Sequence, residues 1–219
     1  MSETVLEMES VTSGYMGDID VLRNVSLSVR AGAISGLIGL NGSPITGRQP
    51  HTLIDEGLWY IPQESSLFPY LSVRDNLRLA LEGRGKVFGS VLEARFEETL
   101  REFPLLREKL NAQAGDLSGG QQKSLEFAKA YMVRPRVCLI DEPSIGLAPR
   151  VAADVFQWIR RFAESGMGIL LVDHNVRRVV EMADHVYVLS LGEITASGSP
   201  DDFRGDLHAQ VREWLGINF

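Results

Sequence analysis

The chain has 219 residues, with 22 Lys and Arg against 29 Asp and Glu for a formal net charge of −7; 44% of the residues are hydrophobic, 23% charged and 8% aromatic. This composition excludes a disordered, collagenous or coiled-coil chain and allows one domain, or one large lobe with a smaller satellite. The acidic balance argues against a protein that works mainly on nucleic acid, where a basic face is expected.

Three short apolar stretches open the chain, Val5 to Val11, Val21 to Val29 and Ala33 to Ile38, separated by Ser13 to Asp18 and by Arg30-Ala31-Gly32. They predict antiparallel strands joined by turns. Leu58 to Ile61 is a further strand, ending in Pro62-Gln63. Ser66 to Leu71 is apolar and predicts a loop that either offers a groove to a partner's helix or packs the next segment onto the core. From about Val73 to Val133 the pattern turns helical, with Val73 to Leu81 and Leu92 to Phe103 as helices and Pro104 and Pro135 as breaks. Val137 to Ile140 and Ile169 to Val172 are continuous apolar runs, which suit strands of a parallel sheet covered on both faces. Between them, Arg150 to Ser165 sets Val151, Val155, Trp158, Ile159 and Phe162 on one helical stripe. His185 to Ser190 and Glu193 to Thr195 predict two closing strands that turn at Leu191-Gly192, and Leu207 to Leu215 predicts a short amphipathic helix. Trp59, Trp158 and Trp214 read as core or C-terminal packing. The fold class is α/β, with a β-rich start and a helical insert.

The single cysteine, Cys138, cannot form an internal disulfide and fits a reducing compartment. The first seven residues are acidic where a secretory signal is basic and then apolar, and no apolar run approaches the ~18–20 residues that span a bilayer. The expectation is a soluble, cytoplasmic protein with no direct membrane insertion, held at a membrane only through a partner.

Four places carry chemistry. Leu117-Ser118-Gly119-Gly120-Gln121-Gln122 precedes an amphipathic helix through Leu125, Ala128 and Met132. Its glycines bring backbone N–H groups close to a helix N-terminus that favours an anion, and the same residues also read as a plain N-cap with a glycine turn. Val137 to Ile140 runs into Asp141-Glu142-Pro143, an acidic pair at the end of a buried strand that suits Mg²⁺ and an attacking water, or equally an acidic turn before a helix. The next strand ends in Asp173-His174-Asn175, where the histidine either meets a terminal phosphate or is a bland surface residue. Gln63 puts an amide at the same sheet edge.

In this order, these segments resemble the nucleotide-binding subunit of ABC transporters, from Val5 to about Phe203. The resemblance implies a single P-loop NTPase-like domain over residues 1–219. It would be a mixed sheet with an N-terminal antiparallel part, a helical subdomain over about 73–133 and a helical tail over 207–219. It implies ATP and Mg²⁺ as ligands and assigns roles by motif. Glu142 would polarise the attacking water, Gln63 and Asp141 would organise the metal, and His174 would contact the γ-phosphate. Tyr15 would stack on adenine, and Gly39, Asn41 and Gly42 would begin the phosphate loop. Ser118, Gly119, Gly120 and Gln121 would form the signature segment, which acts in trans on a second ATP-binding subunit, identical or not. Transmembrane permease subunits are the other implied partners, and nucleic acid is not one. Ser144 to Pro149, Asp173-His174-Asn175 and Ile45 to His51 resemble importers of branched-chain amino acids, with words shared by amide and urea importers.

The phosphate loop departs from the pattern. Such a loop runs Gly-x-x-x-x-Gly-Lys-Ser/Thr, so that backbone N–H groups and the lysine hold the phosphates. From Gly39 the register puts Pro44 at the second glycine and Ile45 at the lysine. The first lysine in the chain is Lys86. With helices of about 11–12 residues and strands of about 5–6, roughly 20–30 residues are missing between Gly42 and Gln63. A deletion predicts weak or absent MgATP binding and loss of a core helix, while the signature segment is untouched. Two functions stand side by side: an ATPase that energises solute import, and a non-hydrolysing subunit that contributes only its signature segment and docking surface.

Overall fold

The computed structural model describes residues 3–14, 20–38, 50–81, 89–173 and 175–203; Trp214 and the predicted tail helix lie outside them. In chain order the elements are β1 (Thr4–Gly14), β2 (Asp20–Arg30), β3 (Ile34–Ile38), α1 (Pro50–Asp55), β4 (Leu58–Ile61), α2 (Val73–Leu79), α3 (Ser90–Glu102), α4 (Pro104–Arg107), α5 (Gly119–Val133), β5 (Val137–Asp141), α6 (Pro149–Glu164), β6 (Gly168–Val172), α7 (Val176–Met182), β7 (His185–Ser190) and β8 (Glu193–Gly198).

β1 and β2 pair antiparallel, as expected. β3 does not continue that hairpin. It runs parallel between β6 and β7 in a sheet ordered β4-β5-β6-β3-β7-β8, where β8 alone is antiparallel to its neighbour. The correction has a physical cause in two glycines. Gly32, at φ 70°, turns the chain out of the small sheet. At Gly36 a Cβ would lie 2.4 Å from Val179 Cγ1, so only a bare strand lets α7 settle this closely on the sheet. An apolar run without alternation suits a central parallel strand as well as a hairpin strand, and the turn alone does not decide. The closing turn is as predicted, with Leu191 at φ 50° and Gly192 at φ 85°.

The sheet is packed on both sides. On one side Ile34, Ile38, Ile61, Cys138, Ile140, Ile169 and Leu171 meet α5, α6 and α7 in the main core. α5 is buried nearly all round, with Leu125, Phe127 and Ala128 fully inaccessible. Rings chain its contacts together: Phe127 lies 5.5 Å from Trp158 and 5.7 Å from Phe162, and Phe103 lies 5.2 Å from Trp158. On the other side Val25, Leu27 and Val29 of β2 cover Leu170, Tyr187 and Leu189. That cover is incomplete. Leu37, Leu139 and Val172 share the same face on central strands, yet each is only half-buried. The helical part is held to its surroundings by α3, whose Glu93, Glu97, Glu98 and Glu102 pair with Arg78, Arg107, Arg134 and Arg161 from four other places in the chain.

Candidate functional site

Because β4, β5 and β6 are parallel neighbours, their C-terminal ends reach one sheet edge, the edge where ligands bind in open α/β sheets. Gln63 follows β4 there and is exposed, while Asp141 ends β5, Glu142 follows it, and both are half-buried. The Tyr60 hydroxyl donates to Asp141 Oδ2 at 3.1 Å. Burial first, then the Asp141 charge and that hydrogen bond, push the Tyr60 phenol up to about 12. Glu142 sits at φ 41° and its N–H donates to Val172 O at 2.8 Å. A left-handed conformation at a non-glycine residue costs on the order of 1–3 kcal/mol, and such strain collects at functional sites. Asp173 follows β6 and is 2% exposed. Its Oδ2 accepts from Ser144 Oγ and its Oδ1 from the Asn175 N–H, both at 2.8 Å, so one buried carboxylate ties the turn after Glu142 to the turn after β6.

The start of α5 is capped on both sides. Ser118 Oγ accepts the Gln121 N–H at 3.4 Å, and Gln121 Oε1 accepts the Ser118 N–H at 3.0 Å. Ser118 and Gly119 are exposed, and Gly120 and Gln121 half-buried. The glycines lie inside the helix rather than in a turn before it. A Cβ on Gly119 would meet open space, whereas one on Gly120 would meet Val151 Cγ1 and Cγ2 of α6 at 3.0 and 3.1 Å. Gly120 therefore serves helix packing, and Gly119 leaves the backbone bare toward solvent.

The stretch from Ser66 to Leu71 divides between its two predicted roles. Leu67 packs on the core, while Phe68, Tyr70 and Leu71 are 53%, 86% and 37% exposed. The loop is fixed from below by buried polar groups. Asn76 Oδ1 accepts the Phe68 N–H at 2.9 Å, and its Nδ2 donates to the carbonyls of Phe68, Leu71 and Ser72. Glu126 and Lys129 hold Ser66 from α5. Burial lowers the Lys129 ammonium below the usual lysine range, and Glu126 opposes this.

The structure thus gathers Gln63, Asp141 and Glu142 at one edge and presents Ser118 to Gln121 as an exposed helix start. Tyr15, Gly39, Asn41, Gly42 and His174 lie outside the described residues, as does the run from Ser43 to Thr46. Sequence patterning missed Tyr60 and the Ser144–Asp173 bond; their sole trace is polar residues placed at strand ends. Among the described residues no group of three or more His, Cys, Asp or Glu is arranged to hold a metal ion, and no helix is long and apolar enough to cross a membrane.

Comparison with known proteins gives a consistent picture. Residues 44–145 match the family model described as ABC transporter. The chain is 33% identical over 240 aligned positions to the lipopolysaccharide export system ATP-binding protein LptB of Escherichia coli (strain K12), covering 98% of each chain. It is 34% identical over 169 positions to the protein named "Probable branched-chain amino acid transport ATP-binding protein LivF" of Archaeoglobus fulgidus, covering 77% of this chain and 70% of that one. A crystal structure of a nucleotide-free ATP-binding cassette from an ABC transporter superposes with a TM-score of 0.81 at 26% identity, over 99% of this chain and 100% of the other.

Proposed function

Because the chain belongs to the ATP-binding proteins of ABC transporters, we propose that it serves as the trans-acting half of an ATP-binding dimer, its own phosphate loop being interrupted. The family consists of ATP-hydrolysing enzymes that bind ATP with Mg²⁺, couple it to transport, dimerise, and pair with transmembrane permease components. Within that frame Glu142 is the residue for the attacking water and Asp141 and Gln63 are the metal-organising pair. His174 is the γ-phosphate contact, Tyr15 the adenine platform, and Gly39, Asn41 and Gly42 are what remains of the phosphate loop.

The residues present do not fit a complete MgATP site in cis. Asp141 and Glu142 offer carboxylate oxygens at the correct edge, and the Tyr60 hydroxyl steadies Asp141 Oδ2; the phosphate side is what is lacking. Pro44 and Ile45, at the positions of the glycine and the lysine, offer the phosphates neither an N–H nor a charge. Phosphoryl transfer relies on positioning and charge, so losing these contacts is severe. Alignment lengths support a deletion of this size. A 240-position alignment holding 98% of 219 residues leaves about 25 positions opposite no residue of this chain, whereas the 169-position alignment holding 77% leaves about none. The family match begins only at residue 44. The half-buried Leu37, Leu139 and Val172 form the face that a phosphate-loop helix would cover.

The observation that carries the trans role is the exposed, doubly capped start of α5, intact where the phosphate loop is not. For the cargo we favour import of branched-chain amino acids, on the wording of Ser144 to Pro149 and Asp173 to Asn175 and the likeness to LivF. The likeness to LptB supports lipopolysaccharide export as the second reading. In either case the chain would sit on the cytoplasmic side of a membrane, through the permease.

Calorimetry of MgATP with the purified chain, beside a version carrying a restored phosphate-loop segment, tests the proposal. Binding by the restored protein alone is expected. Equal binding by both overturns it and means that other groups hold the phosphates.

A further inference from the structure

The two edges of the small sheet are finished differently. Ser28 of β2 stands opposite Glu7 of β1. Its N–H donates to Tyr187 Oη at 3.0 Å, and its carbonyl accepts from Ser35 Oγ at 3.2 Å. Both peptide groups therefore leave β2 on the side away from β1, where side chains of β7 and β3 plug them. In an antiparallel pair, residues directly opposite either bond each other twice or both turn outward. Glu7 thus turns its own N–H and C=O away from β2, onto the outer edge of β1, and among the described residues nothing bonds to them there. Outward groups recur at every second residue, so the edge runs on to Glu9. It stops at Ser10, whose φ of 50° and N–H bond to Ser26 Oγ mark a bulge.

The side chains set what can lie beside that edge. Glu7 and Glu9 share one face and are exposed, and among the described residues neither forms an ion pair, whereas Glu3 just before the strand is taken by Arg136. An open groove of about 470 Å³ adjoins them, lined also by Ser26, Ser28 and Tyr187. Leu6 and Met8 share the other face, half-buried against the second core. A strand laid on this edge needs apolar side chains at alternate positions to extend that core, and cations between them to meet the two carboxylates. A second copy of β1 is the wrong occupant, because it sets Glu7 and Glu9 against the same pair.

We propose that the outer edge of β1 is a docking site for an extended partner segment that alternates Lys or Arg with apolar residues and adds to β1 as a third strand. The site uses no residue of the candidate nucleotide site and does not rest on the trans reading above.

Titrating the full chain with the peptide acetyl-Lys-Val-Lys-Val-Lys-Val-Lys-amide, while following amide exchange residue by residue, tests the site. Exchange at Glu7 and Glu9 is expected to slow about tenfold at saturation. The Met8 N–H, turned inward to β2, is expected to stay as it was. Replacing each valine of the peptide by proline keeps the charge and forbids a strand, and is expected to remove the protection. E7K/E9K, at two exposed positions, is expected to keep the parent urea midpoint and to weaken the lysine peptide about tenfold. The same variant is expected to take up the counterpart in which every lysine of the peptide is glutamate. Unchanged exchange at Glu7 overturns the proposal. Equal slowing by the valine and proline peptides also overturns it, leaving charge attraction alone. Glu7 exchange that slows with protein concentration in the chain by itself overturns it too, and makes a second copy the occupant.

Discussion

The loop and helix around Ser118 and the sheet face under β1 and β2 are built to different standards. On α5, Lys123, Glu126 and Lys129 are buried with partners, Asn76 closes the adjoining loop, and Phe127 is inaccessible among rings. On the sheet face, Leu37, Leu139 and Val172 stand on central strands and remain half open. The contrast shows that burial on the two sides of the sheet is set by separate elements. The packing partners of α5 are α2, α3, α4, α6 and β4, none of which the phosphate loop supplies. On the proposal above, the missing segment would have covered the half-open face, and its loss would stay local to that face.

The comparison can be broken most sharply by truncating one side chain in each region. Phe127→Ala is expected to cost about 3–5 kcal/mol of stability in urea unfolding, as for a fully buried aromatic, and Leu139→Ala roughly 1–2 kcal/mol, since it is only partly buried. Equal losses would mean that the sheet face is as well packed as the α5 side. Asn76→Ala comes next, at about 2–3 kcal/mol, because it strands the Phe68 N–H and several carbonyls beneath a loop that then exchanges its amides faster. Ser118→Ala removes one half of the cap. With an Oγ to N distance of 3.4 Å it is expected to cost only about 0.5–1 kcal/mol, read as a shift in the urea midpoint.

The smallest effect lies at Tyr60. Its folded pKa is raised from 10 to about 12, so the folded state holds the proton more tightly than the unfolded state does. The contribution is therefore whole below pH 10 and lost as pH rises from 10 through 12. Tyr60→Phe is expected to flatten that part of the stability profile and leave the neutral range nearly unchanged. An identical alkaline slope in the variant would show that the folded state does not raise the Tyr60 phenol.

Much of this was legible along the chain. The continuous run from Val137 to Ile140 announced a buried strand and Asp141-Glu142 an edge, because strand period and strand end are local properties. Ser118 three residues before Gln121 spelled out its own cap. β3 was misread because the deciding contact, Gly36 under Val179, joins residues far apart in sequence. Tyr60 on Asp141, Ser144 on Asp173 and Ser66 on Glu126 were hidden for the same reason: each is a pairing across 81, 29 or 60 residues, which no spacing rule reaches.

Cys138 sits in the middle of β5, fully inaccessible, three residues before Asp141, and burial pushes its thiol far above the usual range. In the closed molecule this sulfur is chemically silent, since only a thiolate attacks an alkylating reagent and neither charge nor reagent has access. Every alkylation event at Cys138 therefore counts one opening of the central sheet. The chain carries its own clock for how often the helices come away from their side of the sheet, the side opposite Leu139.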